Sequence, residues 1–129
     1  MYHDGSNLYA LTTGGGARFS PDGEKIVFVR EQSLFTINID GTGLTQITSG
    51  RSPSWSPDGS KIVFYKSGGE SDDLWTIKPD GSDEVKLTNF TTCPARGPDW
   101  SPDGSKISYE RGVCGIWVMD QDGSNQKKI

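Results

Sequence analysis

Three times the chain runs from an aromatic residue through Ser-Pro-Asp-Gly into a strand with Lys-Ile at its start and an aromatic near its end. The copies are Phe19 to Phe28, Trp55 to Phe64 and Trp100 to Tyr109. Pro57 and its counterparts hold φ at about −65°, the value that the second position of a type I turn takes. Asp58 can bond its own backbone two residues on, and Gly59 accepts the positive φ that turns the next strand back. Each copy therefore reads as a short strand, a tight turn and a longer strand. A second turn, Asp-Gly, recurs at Asp4, Asp40, Asp80 and Asp122, ahead of the apolar positions Leu11, Ile47, Leu87 and Ile129.

These Asp-Gly turns fall about 40 residues apart, a spacing that with four short strands per unit marks a β-propeller blade. Strand A ends at Phe19, Trp55 or Trp100. Strand B covers 25–30, 61–66 and 106–111, and strand C holds Leu34–Ile37, Leu74–Ile77 and Ile116–Met119, with strand D after the Asp-Gly turn. No stretch shows the helical apolar period, so helical solenoids are excluded. The expected fold is all-β: a β-propeller of four-stranded antiparallel blades, three per chain. Residues 1–12 read as the last strand of one blade, and 13–48, 49–88 and 89–129 as the three repeats.

Strand B is apolar on both sides, Ile62 and Phe64 against Val63 and Tyr65. Blades pack on both faces, so three of them should leave two apolar end faces. Neither terminus reads as a polar cap, which arrays of this kind need. Propellers close at about four to eight blades. The expected resolution is a two-fold homodimer, three blades from each chain completing a six-bladed ring. The alternative is a piece of a longer propeller chain.

Bulk properties narrow the partners. With 13 Lys+Arg against 17 Asp+Glu, the net charge of -4 argues against nucleic acid. No apolar run approaches the roughly 20 residues of a membrane span, and Tyr2-His3-Asp4-Gly5 does not open a signal peptide. Apolar residues are only 32% of the chain and Gly numbers 17, values that would suggest disorder without the fixed spacing of the turns.

The pattern Trp-Ser-Pro-Asp-Gly-x-x-Ile-x-Phe, the strand at Leu74-Trp75-Thr76-Ile77 and the Asp80-Gly81 turn before Leu87-Thr88 resemble the TolB-type propeller repeat, over nearly all of the chain. The resemblance implies a six-bladed ring, in keeping with three plus three. It also implies a bacterial, extracytoplasmic role: TolB is a periplasmic partner-binding protein, and similar propellers accompany the peptidase domain of prolyl-oligopeptidase-like enzymes. The chain contains neither TolB's amino-terminal domain nor a hydrolase domain.

Catalytic constellations are sparse. His3 is the one histidine, and no serine sits in a G-x-S-x-G elbow, so no enzyme is expected. Asp120-Gln121-Asp122-Gly123 starts like a calcium loop, but no Glu follows at the closing position; it reads as a hairpin, with no metal or cofactor. Cys93, before strand A, and Cys114, between strands B and C, fall at the same end of one blade, where a disulfide can form. Arg51 and Arg96 stand four residues before the strand A aromatics, with Asp99 and Arg18 also on the innermost strands. Together they are the candidate ligand site at the mouth of the ring, suited to a carboxylate or phosphate. Pairing of each Arg with a nearby acid such as Asp99 is the competing reading. Arg30, Lys66 and Arg111 form a matched basic row, read as solvated, and Trp75 and Trp117 read as packing between blades.

The expected function is a non-catalytic binding module for a protein or a small anion. Two alternatives stay open: an accessory propeller of a hydrolase, and a foldable fragment without a ligand.

Overall fold

A computed structural model of the chain describes residues 11–69 and 71–129; His3 and most of the expected strand at 1–12 lie outside these. The first sheet runs β1 (Gly15–Phe19), β2 (Lys25–Arg30), β3 (Ser33–Asn38) and β4 (Thr45–Ser49). The second is β5 (Arg51–Trp55), β6 (Ile62–Gly68), β7 (Ser71–Ile77) and β8 (Val85–Lys86). The third is β9 (Arg96–Trp100), β10 (Lys106–Glu110), β11 (Ile116–Asp120) and β12 (Lys127–Lys128). Each sheet is an antiparallel meander in chain order, which is the blade of a β-propeller. Among the described residues no helix is long and apolar enough to cross a membrane.

The Ser-Pro-Asp-Gly turns owe their shape to the serine as much as to the proline. Ser56 Oγ donates to Asp58 Oδ1 at 2.6 Å and accepts from Lys61 N at 2.9 Å, while Asp58 Oδ1 also accepts from Ser60 N at 3.0 Å. Ser20 with Asp22 and Ser101 with Asp103 repeat the arrangement, again at 2.6 Å. These donors favour the charged carboxylate. The hydroxyl of Ser56 leads in lowering Asp58, and that of Ser101 in lowering Asp103, from 3.8 to about 2 in both.

Packing between sheets makes the core. Val27, Leu34 and Ile47 of the first sheet meet Trp55, Ile62, Phe64 and Ile77 of the second. Val63 and Leu74, on the other face of the second sheet, meet Trp100, Ile107, Tyr109 and Met119 of the third. Every sheet thus turns one face back along the chain and one forward.

The two end faces differ: the first sheet's is apolar, as expected, whereas the third sheet's is half polar, which corrects the expectation for that end. The backward face of the first sheet carries Ile26, Phe28, Phe35 and Ile37, with Phe28 stacked on Phe35 at 5.7 Å between centroids. Leu11 and Thr12 lie beside it and, with Ile26, Phe28 and Ile37, line an open apolar pocket of about 150 Å³. The forward face of the third sheet exposes Lys106, Ser108 and Glu110 on β10, where the matched positions of the second sheet are Lys61, just before β6, and Val63 and Tyr65 within it. That edge is half polar.

Gly50 precedes β5 at φ 152°, and a Cβ there would stand 2.5 Å from Cδ2 of Phe64. Phe64 is fully buried, so the ring cannot yield. Gly50→Ala is expected to cost about 1–3 kcal/mol by overpacking, read as a lower urea midpoint. Since Asp58 and Asp103 are held below their unfolded value of 3.8, their stabilisation is complete above that pH and is lost as pH falls through about 2. The urea midpoint should decline over that window, and the decline should be shallower in the double variant Asp58→Asn, Asp103→Asn.

Candidate functional site

The innermost strands β1, β5 and β9 share a local irregularity. Pairing with the next strand slips between Gly15 and Arg18 and between Arg51 and Ser54, and the third sheet slips opposite Arg96 to Asp99. At the matched positions Gly16, Ser52 and Gly97, φ is 61°, 50° and 56°. Ser52 is the one of these with a side chain in the left-handed region, a conformation that non-glycine residues seldom hold. Pro53 and Pro98 follow, at places where the bulge asks for no ladder N–H.

The bulges open a cleft of about 580 Å³ along the three inner strands. Arg18, Arg51, Ser54 and Asp99 line it, with Tyr65 behind. Ser54 Oγ donates to Asp99 Oδ1 at 2.6 Å, which ties β5 to β9 across the sheet boundary. Trp100 N donates to the same oxygen at 3.1 Å. Arg18 Nη1 donates to the carbonyl of Ala17 at 3.0 Å. Arg51 forms no ion pair among the described residues.

Three of the four candidate residues, Arg18, Arg51 and Asp99, therefore share one cleft, and Arg96 does not line it. Its Nε donates to Asp72 Oδ2 at 2.5 Å, and its guanidinium lies 6.0 Å from the centre of the Tyr65 ring. The acid that takes Arg96 is Asp72 rather than Asp99. Burial opposes the charge on Asp72, but hydrogen bonds from Ser67 and Arg96 and the nearby charges of Arg96 and Arg51 outweigh it and lower its pKa. Asp73 beside it, also buried, accepts from Thr88 Oγ1 at 2.8 Å, Phe90 N at 2.9 Å and Lys86 Nζ at 2.9 Å. Sequence reasoning passed over both acids. The available signal was Ser71-Asp72-Asp73 leading into strand C, where the sibling strands carry Gln32-Ser33 and Cys114-Gly115.

The matched basic row is not simply solvated. Arg30 lies 4.3 Å over Phe35, Lys66 4.8 Å over Trp75 and Arg111 4.8 Å over Trp117, so each cation covers the strand C aromatic of its own sheet. Trp75 and Trp117 pack their other sides on the two cores. At the Asp120-Gln121-Asp122 hairpin, Asp122 Oδ1 accepts from Ser124 N at 2.9 Å and Asp120 Oδ2 from Asn125 Nδ2 at 2.6 Å.

Cys93 and Cys114 are joined, with Cα atoms 6.1 Å apart. The bond ties the connection from β8 to β9 to the 3-10 turn at Gly112–Cys114. Arg111 reinforces it, donating to the carbonyl of Thr92 at 3.0 Å and lying 3.8 Å over Phe90.

No family model matches the sequence, and no curated protein matches it. Among solved structures the chain is similar to a TolB candidate of Agrobacterium tumefaciens, with 24% identity and a TM-score of 0.77 over 91% of this chain and 50% of that one. It is similar to TolB of Acinetobacter baumannii at 20% identity and a TM-score of 0.79, covering 98% of this chain and 35% of that one. The tricorn protease matches at 20% identity and a TM-score of 0.72, covering 92% of this chain and 13% of that one. The chain thus spans half or less of each of these proteins. What they share with it is the propeller fold.

A loop of this separation, 21 residues, is worth about 3 kcal/mol when cross-linked. The double variant Cys93→Ser, Cys114→Ser should lose about that much stability in urea denaturation, and the unmodified chain under reductant should lose the same amount.

Proposed function

We propose that the chain is a non-catalytic binding module of TolB-like type, working within a propeller ring, whose ligand docks in the cleft of the inner strands. The ligand class that fits is a protein segment or small molecule bearing a carboxylate or phosphate. The observation that carries this reading is Arg51: a guanidinium at the cleft wall, without an ion-pair partner among the described residues, beside the strained backbone of Ser52. A planar guanidinium gives two parallel donors to an anion. The acids nearby are already committed, Asp99 to Ser54 and Trp100 and Asp72 to Arg96. That suits binding better than acid–base work. The half-exposed sheet ends support a homodimer that completes a six-bladed ring, and the Cys93–Cys114 bond supports an oxidising, extracytoplasmic setting.

A second reading, an accessory propeller guarding a peptidase-like hydrolase, draws on the likeness to the tricorn protease. A hydrolase elbow in flanking sequence would favour it.

Titration calorimetry with inorganic phosphate and with succinate tests the cleft. Arg51→Ala should weaken binding at least about tenfold, the scale of a lost charge-assisted bond. Arg30→Ala, on a cation already seated over Phe35, should leave binding unchanged. Equal affinity in the Arg51 variant would sink the reading.

A further inference from the structure

Several matched positions along the repeat are buried where a neighbouring sheet covers them and exposed at one of the ends, although Phe28 and Ile37 on the first sheet's outer face are buried. Trp55 and Trp100 are 9% and 8% exposed, whereas Phe19 at the same place in the first sheet is 49% exposed. Leu34 and Leu74 are 0% exposed, and their counterpart Ile116 is 52% exposed. Ile47 is 9% exposed, and its counterpart Ile129 is 76% exposed. Phe19 belongs to the backward face of the first sheet, Ile116 and Ile129 to the forward face of the third. The two ends therefore carry matching positions of the contact that joins the first sheet to the second, although Ser108 and Glu110 of the third sheet stand where the first has Val27 and Val29.

Charge completes the match. Arg18, Ser54 and Asp99 occupy one register on β1, β5 and β9, opposite Val27, Val63 and Ser108. The 2.6 Å bond from Ser54 to Asp99 shows that this position reaches its counterpart on the next sheet. One further step of the same kind would set a residue like Arg18 beside Asp99. Arg18 meets only a backbone carbonyl among the described residues, so its charge is open to such a partner.

We infer that the occupant of both ends is a second copy of this chain. The two copies meet head to tail at two identical junctions, each placing Asp99 of one against Arg18 of the other and burying Phe19 under Ile116 and Ile129. This rests on the ring reading above and adds the residues that make its two junctions. Around the closed lumen the register then reads Arg18, Ser54, Asp99, Arg18, Ser54, Asp99, with opposite charges meeting only where the copies join. One local exchange follows. Leu11 Cδ2 lies 3.6 Å from where a Cβ on Gly41 would stand, the place that the backbone and side chain of Ile47 take beside Gly81. At the junction Ile129 of the second copy takes that place and Leu11 is displaced.

Sedimentation velocity up to about 100 µM tests this, since dimerisation is set by mass action. The unmodified chain should sediment as a dimer. Asp99→Arg and Arg18→Asp alone should each weaken dimerisation at least about tenfold, because like charges then face each other at both junctions. An equimolar mixture of the two should recover the dimer, since both mixed junctions pair Arg with Asp. Ile116→Lys, on an exposed side chain that the fold does not need, should weaken dimerisation with an unchanged circular dichroism spectrum, and it keeps the test valid if a charge variant folds poorly. A monomer throughout overturns the second copy as partner, while Arg51-dependent anion binding stands or falls on its own titration. A dimer indifferent to all three substitutions, or a mixture that recovers nothing, overturns the junction.

Discussion

Apolar contact between the faces of neighbouring sheets holds this chain together, and the middle sheet carries most of it. Ile62, Phe64 and Ile77 serve the first sheet, and Val63 and Leu74 the third. Burying a side chain of this size is worth about 1.5–3 kcal/mol, and the middle sheet gains on both faces. A sheet with no solvent face also cannot be the last of its array. That constraint sets what the ends must do: the half-polar β10 and the Leu11-bordered face of the first sheet are two partial answers to it.

Short-range chemistry then fixes each sheet. The Ser-Pro-Asp-Gly turns lock with the same Ser–Asp bond in all three copies, at 2.6 Å each time. The cations Arg30, Lys66 and Arg111 roof the strand C aromatics, which shields part of each half-buried ring from water at the sheet margin. With the turns and margins held this way, the inner strands can depart from regularity. Their bulges at Gly16, Ser52 and Gly97 create the cleft.

The candidate site was partly legible. Arg18, Arg51 and Asp99 could be placed on the inner strands from their distance to Phe19, Trp55 and Trp100, because register in a sheet follows sequence position. The partner of Arg96 could not. Asp72 lies 24 residues away, at the mouth of a strand in a different sheet, and nothing in local pattern brings those two side chains together. The basic row failed for the opposite reason: a matched charged position at a strand end looks solvated until the direction of the neighbouring ring is known.

The sequence by itself determined the blade. Turn residues at fixed offsets, alternating apolar strands and a period of about 40 residues leave one supersecondary unit that satisfies all three. Those are local constraints, acting over a few bonds or one strand pair. Only the tertiary structure decided that Arg96 pairs with Asp72 and that Ser54 bonds Asp99, while Arg51 keeps no ion pair among the described residues. Both depend on side chains brought together from different sheets, where distance in space is unrelated to distance along the chain.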